Sequence, residues 1–271
     1  MKRGIKFNAI FILQSLQDDE RHTGSEIAQQ IKYACLQRGI ESMDELINVN
    51  DRTTFFEVIN NITDSIAHGV KPYLHFEMHG TSSGGLCLSS GQTISWEELK
   101  EPLRKMNVAC KNNLYVSLAT CHGANFLDMY KGEIDKPCPF FGYIGASTKV
   151  DAFDFEVSFT SFFHAMLTKD SIANGIKSLL ESLPDNRANY IFLDCEIYHK
   201  ELMKNWEKEY GSLEGKTRYS KYLFQRAKKE YAHVGKSNRQ MRRELDRMVF
   251  SGYTDDYLAQ CKRIFLHETN G

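Results

Sequence analysis

No run of apolar residues in this chain approaches the roughly 18 needed to cross a bilayer as a helix, so no membrane partner is expected. The opening residues, Met1-Lys2-Arg3-Gly4-Ile5-Lys6, lead into a strand-like stretch that contains Asn8 and Gln14. A secretory signal needs a longer, cleaner apolar stretch and a small-residue cleavage site. The expectation is therefore a cytoplasmic protein. Close cysteine pairs are also missing: the seven, at 35, 87, 110, 121, 138, 195 and 261, are an odd number without a CxxC. This argues against a disulfide framework and against a zinc knuckle. All but Cys121 read as small buried hydrophobes. Internal repeats and low-complexity tracts are absent.

Net charge is small as well, −1 over 271 residues, but unevenly spread. Residues 200–271 hold 16 Lys and Arg against 10 Asp and Glu, whereas residues 1–199 hold 18 against 25. A basic C-terminal part can engage nucleic acid or an acidic protein, dock on the acidic body, or form a solvated helical face. Hydrophobic residues make up 42% and charged residues 25%, ordinary for a globular chain long enough to bury a sizeable core.

What is present is a series of apolar runs alternating with helical patterns. Phe7 to Leu16 reads as a first strand, and Ser25 as the N-cap of a helix ended by Gly39. Residues 40–49 stay ambiguous between a capped helix start at Ser42-Met43-Asp44-Glu45 and a short strand at Leu46–Val49. A helix opening at Asp51 or Thr53 precedes the strand Tyr73–Met78. Gly84 to Ile94 reads as a hairpin turning at Ser90-Gly91, and Ser95-Trp96-Glu97-Glu98 as a capping box opening a helix to about Met106. Strands at Leu114–Ala119 and Phe140–Ala146, helices at Asp154–Leu167 and Ser171–Leu183, and an edge strand at Tyr190–Leu193 follow. Alternating strands and helices predict an α/β domain with a mostly parallel sheet over residues 1–198. Residues 199–271 read as a basic helical extension, with a capping box at Ser237-Asn238-Arg239-Gln240 and an apolar stripe of Leu245, Met248 and Val249.

Two short segments carry the chemistry. Met78-His79-Gly80 and Thr120-Cys121-His122-Gly123 each follow a run that reads as a buried strand. The segment between them is long enough for a crossover, so both strand ends reach the carboxyl edge of one sheet, where open α/β folds place their sites. A cysteine beside a histidine is the minimal equipment for thiolate catalysis. His122 should point away from Cys121, and His75 reads as a core or sheet-face residue. A zinc site from His75, His79, Cys121 and His122 is the competing arrangement, but no acidic general base lies at a zincin-like spacing. No metal and no cofactor is called for.

A strand ending in His-Gly, a Gly-rich hairpin, a capped helix, then a strand ending in Cys-His-Gly resembles the caspase-like cysteine peptidases. These include caspases, metacaspases, separase and, nearest in pattern, bacterial CHAT-type proteases. Tyr143–Asp151 is similar to the family strand after the cysteine, and Ser161–Leu167 to a helical pattern of CHAT domains. The likeness covers roughly residues 5–195. It implies a three-layer sandwich and an endopeptidase making limited cuts in a protein substrate, in bacterial defence or programmed death. By this resemblance Cys121 is the nucleophile and His79 the general acid and base. The N–H groups of Gly80 and Cys121 form the oxyanion hole, Gly80 lacking a Cβ so that its N–H can face the substrate.

The resemblance also places the substrate pocket at the residue two before the cysteine and on the following strand. Ala119 stands where caspases have glutamine and metacaspases aspartate. Arg21 resembles a caspase arginine that binds acidic side chains, while Asp151 and then Asp154 fall where separase-like members keep an acidic residue for arginine. The expectation is a basic or small residue before the cut bond. An activating partner, a ligand or a cut in the loop Lys131–Pro139 is a candidate switch. The alternative function is a catalytically silent binding module whose basic tail engages nucleic acid or an acidic protein.

Overall fold

The computed structural model describes residues 6–81, 84–130, 133, 135–184, 188–230, 237–250 and 253–267. Of the expected switch loop, residues 131, 132 and 134 lie outside the described residues. The chain divides into two compact units, one of residues 1–129 and 138–194, the other of residues 130–137 and 195–271.

The first unit is an α/β domain around a mostly parallel sheet flanked by helices. Its strands are β1 (Ala9–Ser15), β2 (Asp44–Asn48), β3 (Pro72–Thr81), β4 (Gly85–Cys87), β5 (Thr93–Ser95), β6 (Tyr115–Ala119), β7 (Gly142–Ala146) and β8 (Tyr190–Asp194). The order across the sheet is β2-β1-β3-β6-β7-β8, and only the β7–β8 pair on this path is antiparallel. The ambiguous stretch after Gly39 is therefore an edge strand. The hairpin β4–β5 hangs from the far end of β3, pairing His79 with Cys87 and Gly80 with Leu86.

Period-two alternation divides the core between the two faces of the sheet. Ile10 and Ile12 of β1 join one cluster with Ile27 and Ile31 of α1 (Thr23–Gln37) and Phe155, Phe159, Phe162 and Phe163 of α4 (Ala152–Thr168). Phe11 and Leu13 have the opposite parity and are buried too, the mark of a sheet covered on both sides. On that other face Phe76 of β3 meets Phe55 of α2 (Arg52–Ser65), ring centres 6.0 Å apart. Next to α2 packs α3 (Trp96–Ala109), which opens with the expected capping box at Ser95 and Glu98. Helix α5 (Ile172–Glu181) packs on α4, with Gly175 so close to Phe162 and Met166 that a methyl there would overlap them.

Two local expectations are corrected. Helix α1 begins at Thr23 rather than after Ser25, because a residue from another element caps it. The side-chain carbonyl of the buried Gln14 accepts from the Gly24 N–H at 3.1 Å, a long-range substitute for the usual local cap. Strand β3 also runs past Met78 to Thr81, so His79 and Gly80 belong to the strand and not to the loop after it. A 3-10 helix, Gly123–Tyr130, follows Cys121.

The second unit contains α6 (Cys195–Tyr210), α7 (Leu213–Glu230), α8 (Asn238–Phe250) and α9 (Tyr253–Phe265). Trp206 meets Tyr219 edge-on with ring centres 5.3 Å apart, and Phe265 packs on Tyr198 and His199. Arg226 pairs with Asp135 at 2.9 Å. Ser237 and Gln240 form the expected capping box through reciprocal bonds. No described helix is long and apolar enough to cross a membrane.

Candidate active site

Register is what brings the candidate residues together. Glu77 of β3 lies opposite Ala119 of β6 in the parallel ladder. His79 is two residues further along β3, so Glu77, Ala119 and His79 share the parity that faces α4, and Cys121 follows in the turn two residues beyond the end of β6. They line one narrow cleft of about 70 Å³ with Leu16, Glu20, Arg21, Thr23, Met78, Val150, Ala152 and Phe155.

Gly80 sets how closely the two strand ends approach. A Cβ on it would overlap both the Thr120 hydroxyl and the Cys121 carbonyl. The reason for glycine here is thus packing against residues 120–121, where the sequence suggested open access to a substrate. The turn carrying Cys121 is held from three sides: His122 N–H donates to Thr148 O at 3.1 Å, Gly123 N–H to Thr120 O at 3.2 Å, and the Tyr143 hydroxyl to Gly123 O at 2.7 Å. His122 itself has φ 58°, the left-handed conformation that turns the chain. Among the described residues no backbone carbonyl takes the Cys121 N–H.

The two reactive groups meet different partners. The Cys121 thiol, half-buried, donates to the Val150 carbonyl at 3.6 Å. His79 has a side chain 59% exposed, and its Nε2 lies 2.5 Å from Glu20 Oε1. Glu20 is held in turn by the Gln17 N–H, which donates to its other oxygen at 2.7 Å. That backbone bond first, and the His79 contacts after it, keep the Glu20 carboxyl below the ordinary glutamate value. No hydrogen bond joins His79 to Cys121. Such contacts are often loose without substrate and tighten when it binds.

A second, buried set of polar groups lies on the same face. Glu77, 2% exposed, accepts from the Thr23 hydroxyl at 2.5 Å and meets His75 Nε2 at 2.6 Å, while His75 Nδ1 meets the Ser117 hydroxyl at 2.6 Å. His75 is thus the sheet-face residue expected, wedged 4.6 Å between ring centres from Phe159. Of the other residues singled out from sequence, Ala119 and Arg21 line the cleft, but Arg21 is tied to Glu156 by two 2.5 Å contacts and lies over Phe153. Asp151 is at the N-cap of α4 without a side-chain cap bond, and Asp154 is buried in its first turn. Neither lines the cleft, although their neighbours Val150, Ala152 and Phe155 do. Sequence reasoning missed Glu20 and Glu77. Glu77 carried a readable signal, being an acidic residue of the same parity as His79 within a buried strand. Glu20 carried none, since its partner comes from a distant segment.

No protein-family model matches the chain, and no curated protein matches it.

Proposed function

We propose that this protein is a caspase-like cysteine endopeptidase acting through Cys121 and His79. The observation that carries the reading is the cleft at the carboxyl ends of β3 and β6, where a thiol and an imidazole held by a carboxylate share one wall. Glu20 occupies Nε2, so Nδ1 is the nitrogen left to exchange a proton with the thiol. The Cys121 thiolate adds to a peptide carbonyl, and the Cys121 N–H, with that of Gly80, steadies the oxyanion. His79 passes its proton to the departing amine, leaving a thioester. A water then gives a proton to His79 and its hydroxide to the acyl carbon, and the thiolate leaves. The net reaction is peptide plus water to acid plus amine. Cytoplasmic action on a protein substrate, with an activating partner, belongs to the same reading.

The test is cleavage of a peptide library by wild type, His79→Ala and Cys121→Ala. Activity in the wild type alone supports the dyad. Equal activity in either variant sinks it.

One observation favours a second reading, a binding module. The second unit holds a cavity of about 890 Å³ whose lining includes Lys200, Lys204, Lys216 and Lys262 beside Trp206, with Glu196 and Glu207 as its carboxylates. Four cations against two carboxylates, with an indole, leave a basic surplus that suits an acidic protein or nucleic acid. Salt-dependent binding of such a partner by a peptidase-inactive wild type would support that reading over the first.

A further inference from the structure

We propose that the cavity of the second unit is a binding site for a free nucleoside phosphate, held by its phosphate oxygens. The inference does not depend on the peptidase reading, and it narrows the basic surplus of this cavity to one small ligand.

The charge comes from three helices. Lys200 and Lys204 stand four residues apart on α6 and so share a face of it, while Lys216 comes from α7 and Lys262 from α9. Helix α6 packs against both of the others, and all four lysines line the one cavity of about 890 Å³. Converging like charges repel, which costs stability unless carboxylates or a bound anion answer them. The carboxylates answer weakly. Among the described residues Lys204 meets Glu201 at 3.9 Å, and no carboxylate pairs with Lys200, Lys216 or Lys262. Glu196 and Glu207 share the lining and pair with none of the four.

A second observation points to the same kind of ligand. Trp206 is 8% exposed and belongs to this lining, and its indole N–H meets no acceptor among the described residues. A buried donor in that state costs free energy until an acceptor reaches it. Ammonium and indole groups only donate, so the set is complementary to a ligand rich in acceptor oxygens, as a phosphate ester is. The rest of the lining selects among esters. Met203, Leu258 and Leu266 give the cavity an apolar part, which a bare phosphate cannot use and a nucleobase can. Glu196 and Glu207 are acceptors, suited to the hydroxyls of a ribose. The volume lies in the range of small-molecule sites. A nucleic-acid strand asks instead for an extended basic groove with aromatic faces exposed for stacking. The Trp206 ring is nearly covered, and it packs on Tyr210 and Tyr219.

The test is calorimetric titration of the wild-type chain with ATP, GTP, CTP and UTP. Tripolyphosphate and adenosine serve as the two halves of the ligand, and single-stranded DNA as the polymer. At least one triphosphate should bind at one per chain, about 10-fold tighter than tripolyphosphate, because the base adds buried apolar surface. Joint replacement of two exposed lysines, Lys200→Gln with Lys262→Gln, should weaken that binding by about 10-fold or more. Trp206→Phe keeps an aromatic ring, removes the N–H and should also weaken it; the lysine pair carries the test if that variant fails to fold. Absence of binding by every triphosphate overturns the inference. So does tripolyphosphate bound as tightly as the best nucleotide, or binding unchanged in the double lysine variant. Single-stranded DNA bound more tightly than any free nucleotide overturns it as well and assigns the cavity to a polymer. None of these outcomes touches the Cys121 cleft, which the peptide library tests separately.

Discussion

Glu20 and His79 are 59 residues apart in the chain and 2.5 Å apart in the cleft. The contact requires β1 and β3 to be neighbours, since Glu20 sits in the loop leaving β1 and His79 near the end of β3. Its chemical effect is to fix one ring nitrogen as the donor and leave the other for proton exchange. Glu20→Gln should lower kcat by about 10- to 100-fold with little change in KM, the mark of a positioning group. The sign of the pH effect follows from the lowered Glu20 value. The carboxylate is charged above the ordinary glutamate value and loses its charge only as pH falls through its own, lower one. The ratio of wild-type to Glu20→Gln rates should therefore shrink in acid as Glu20 takes up its proton. A ratio that holds unchanged down through acid would contradict the assignment.

The cysteines offer an independent check. Burial pushes the Cys110 thiol up to about 12 and raises those of Cys35 and Cys87. At pH 7.5 these stay protonated and unreactive. Cys138, Cys195 and Cys261 are buried, whereas Cys121 opens on the cleft. Iodoacetamide at limiting concentration should modify Cys121 first, read by peptide mass mapping. Labelling of Cys87, the other half-buried thiol, at the same rate would show that Cys121 has no special reactivity.

The alternation of strands and helices was legible because period-two apolar runs and two good caps, Asp51 and Ser95, both survive in the structure. The His79–Cys121 neighbourhood was legible because two buried parallel strands joined by a crossover bring their carboxyl ends to one sheet edge. What escaped the sequence depends on contacts between distant segments. Gln14 caps α1 from β1, which moved the helix start to Thr23. The β4 partner carried β3 on through Gly80. Arg21 looked available as a pocket cation until Glu156, 135 residues away, claimed it. Local propensity cannot register such partners.

Gly80 is the position where packing and chemistry meet. A methyl there would overlap both Thr120 and the Cys121 carbonyl, and the latter is backbone that cannot rotate away. Gly80→Ala should cost about 1–3 kcal/mol in denaturant unfolding. It should also push the cysteine turn away from β3. Activity should fall further than the fraction unfolded explains, because the thiol and imidazole move apart. Gly91, at φ 81° with nothing near its Cβ position, is the control: Gly91→Ala should lose stability through backbone strain alone and keep activity per folded molecule.

Arg21 separates two pocket chemistries. If it bound an acidic substrate side chain, its removal would abolish cleavage after aspartate and little else would matter. In the structure its guanidinium is spent on Glu156, with the Arg21 side chain 51% exposed, and stacks over Phe153. An exposed pair of this kind contributes little to stability, so Arg21→Ala should shift the unfolding midpoint little. Its loss leaves Glu156 without its cation and makes the cleft rim more negative. Cleavage after arginine or lysine should hold steady or rise, most visibly at low ionic strength, where charge steering is unscreened. A steep fall in that cleavage, with unchanged stability, would mean that Arg21 contacts the substrate directly and would count against a basic residue before the cut bond.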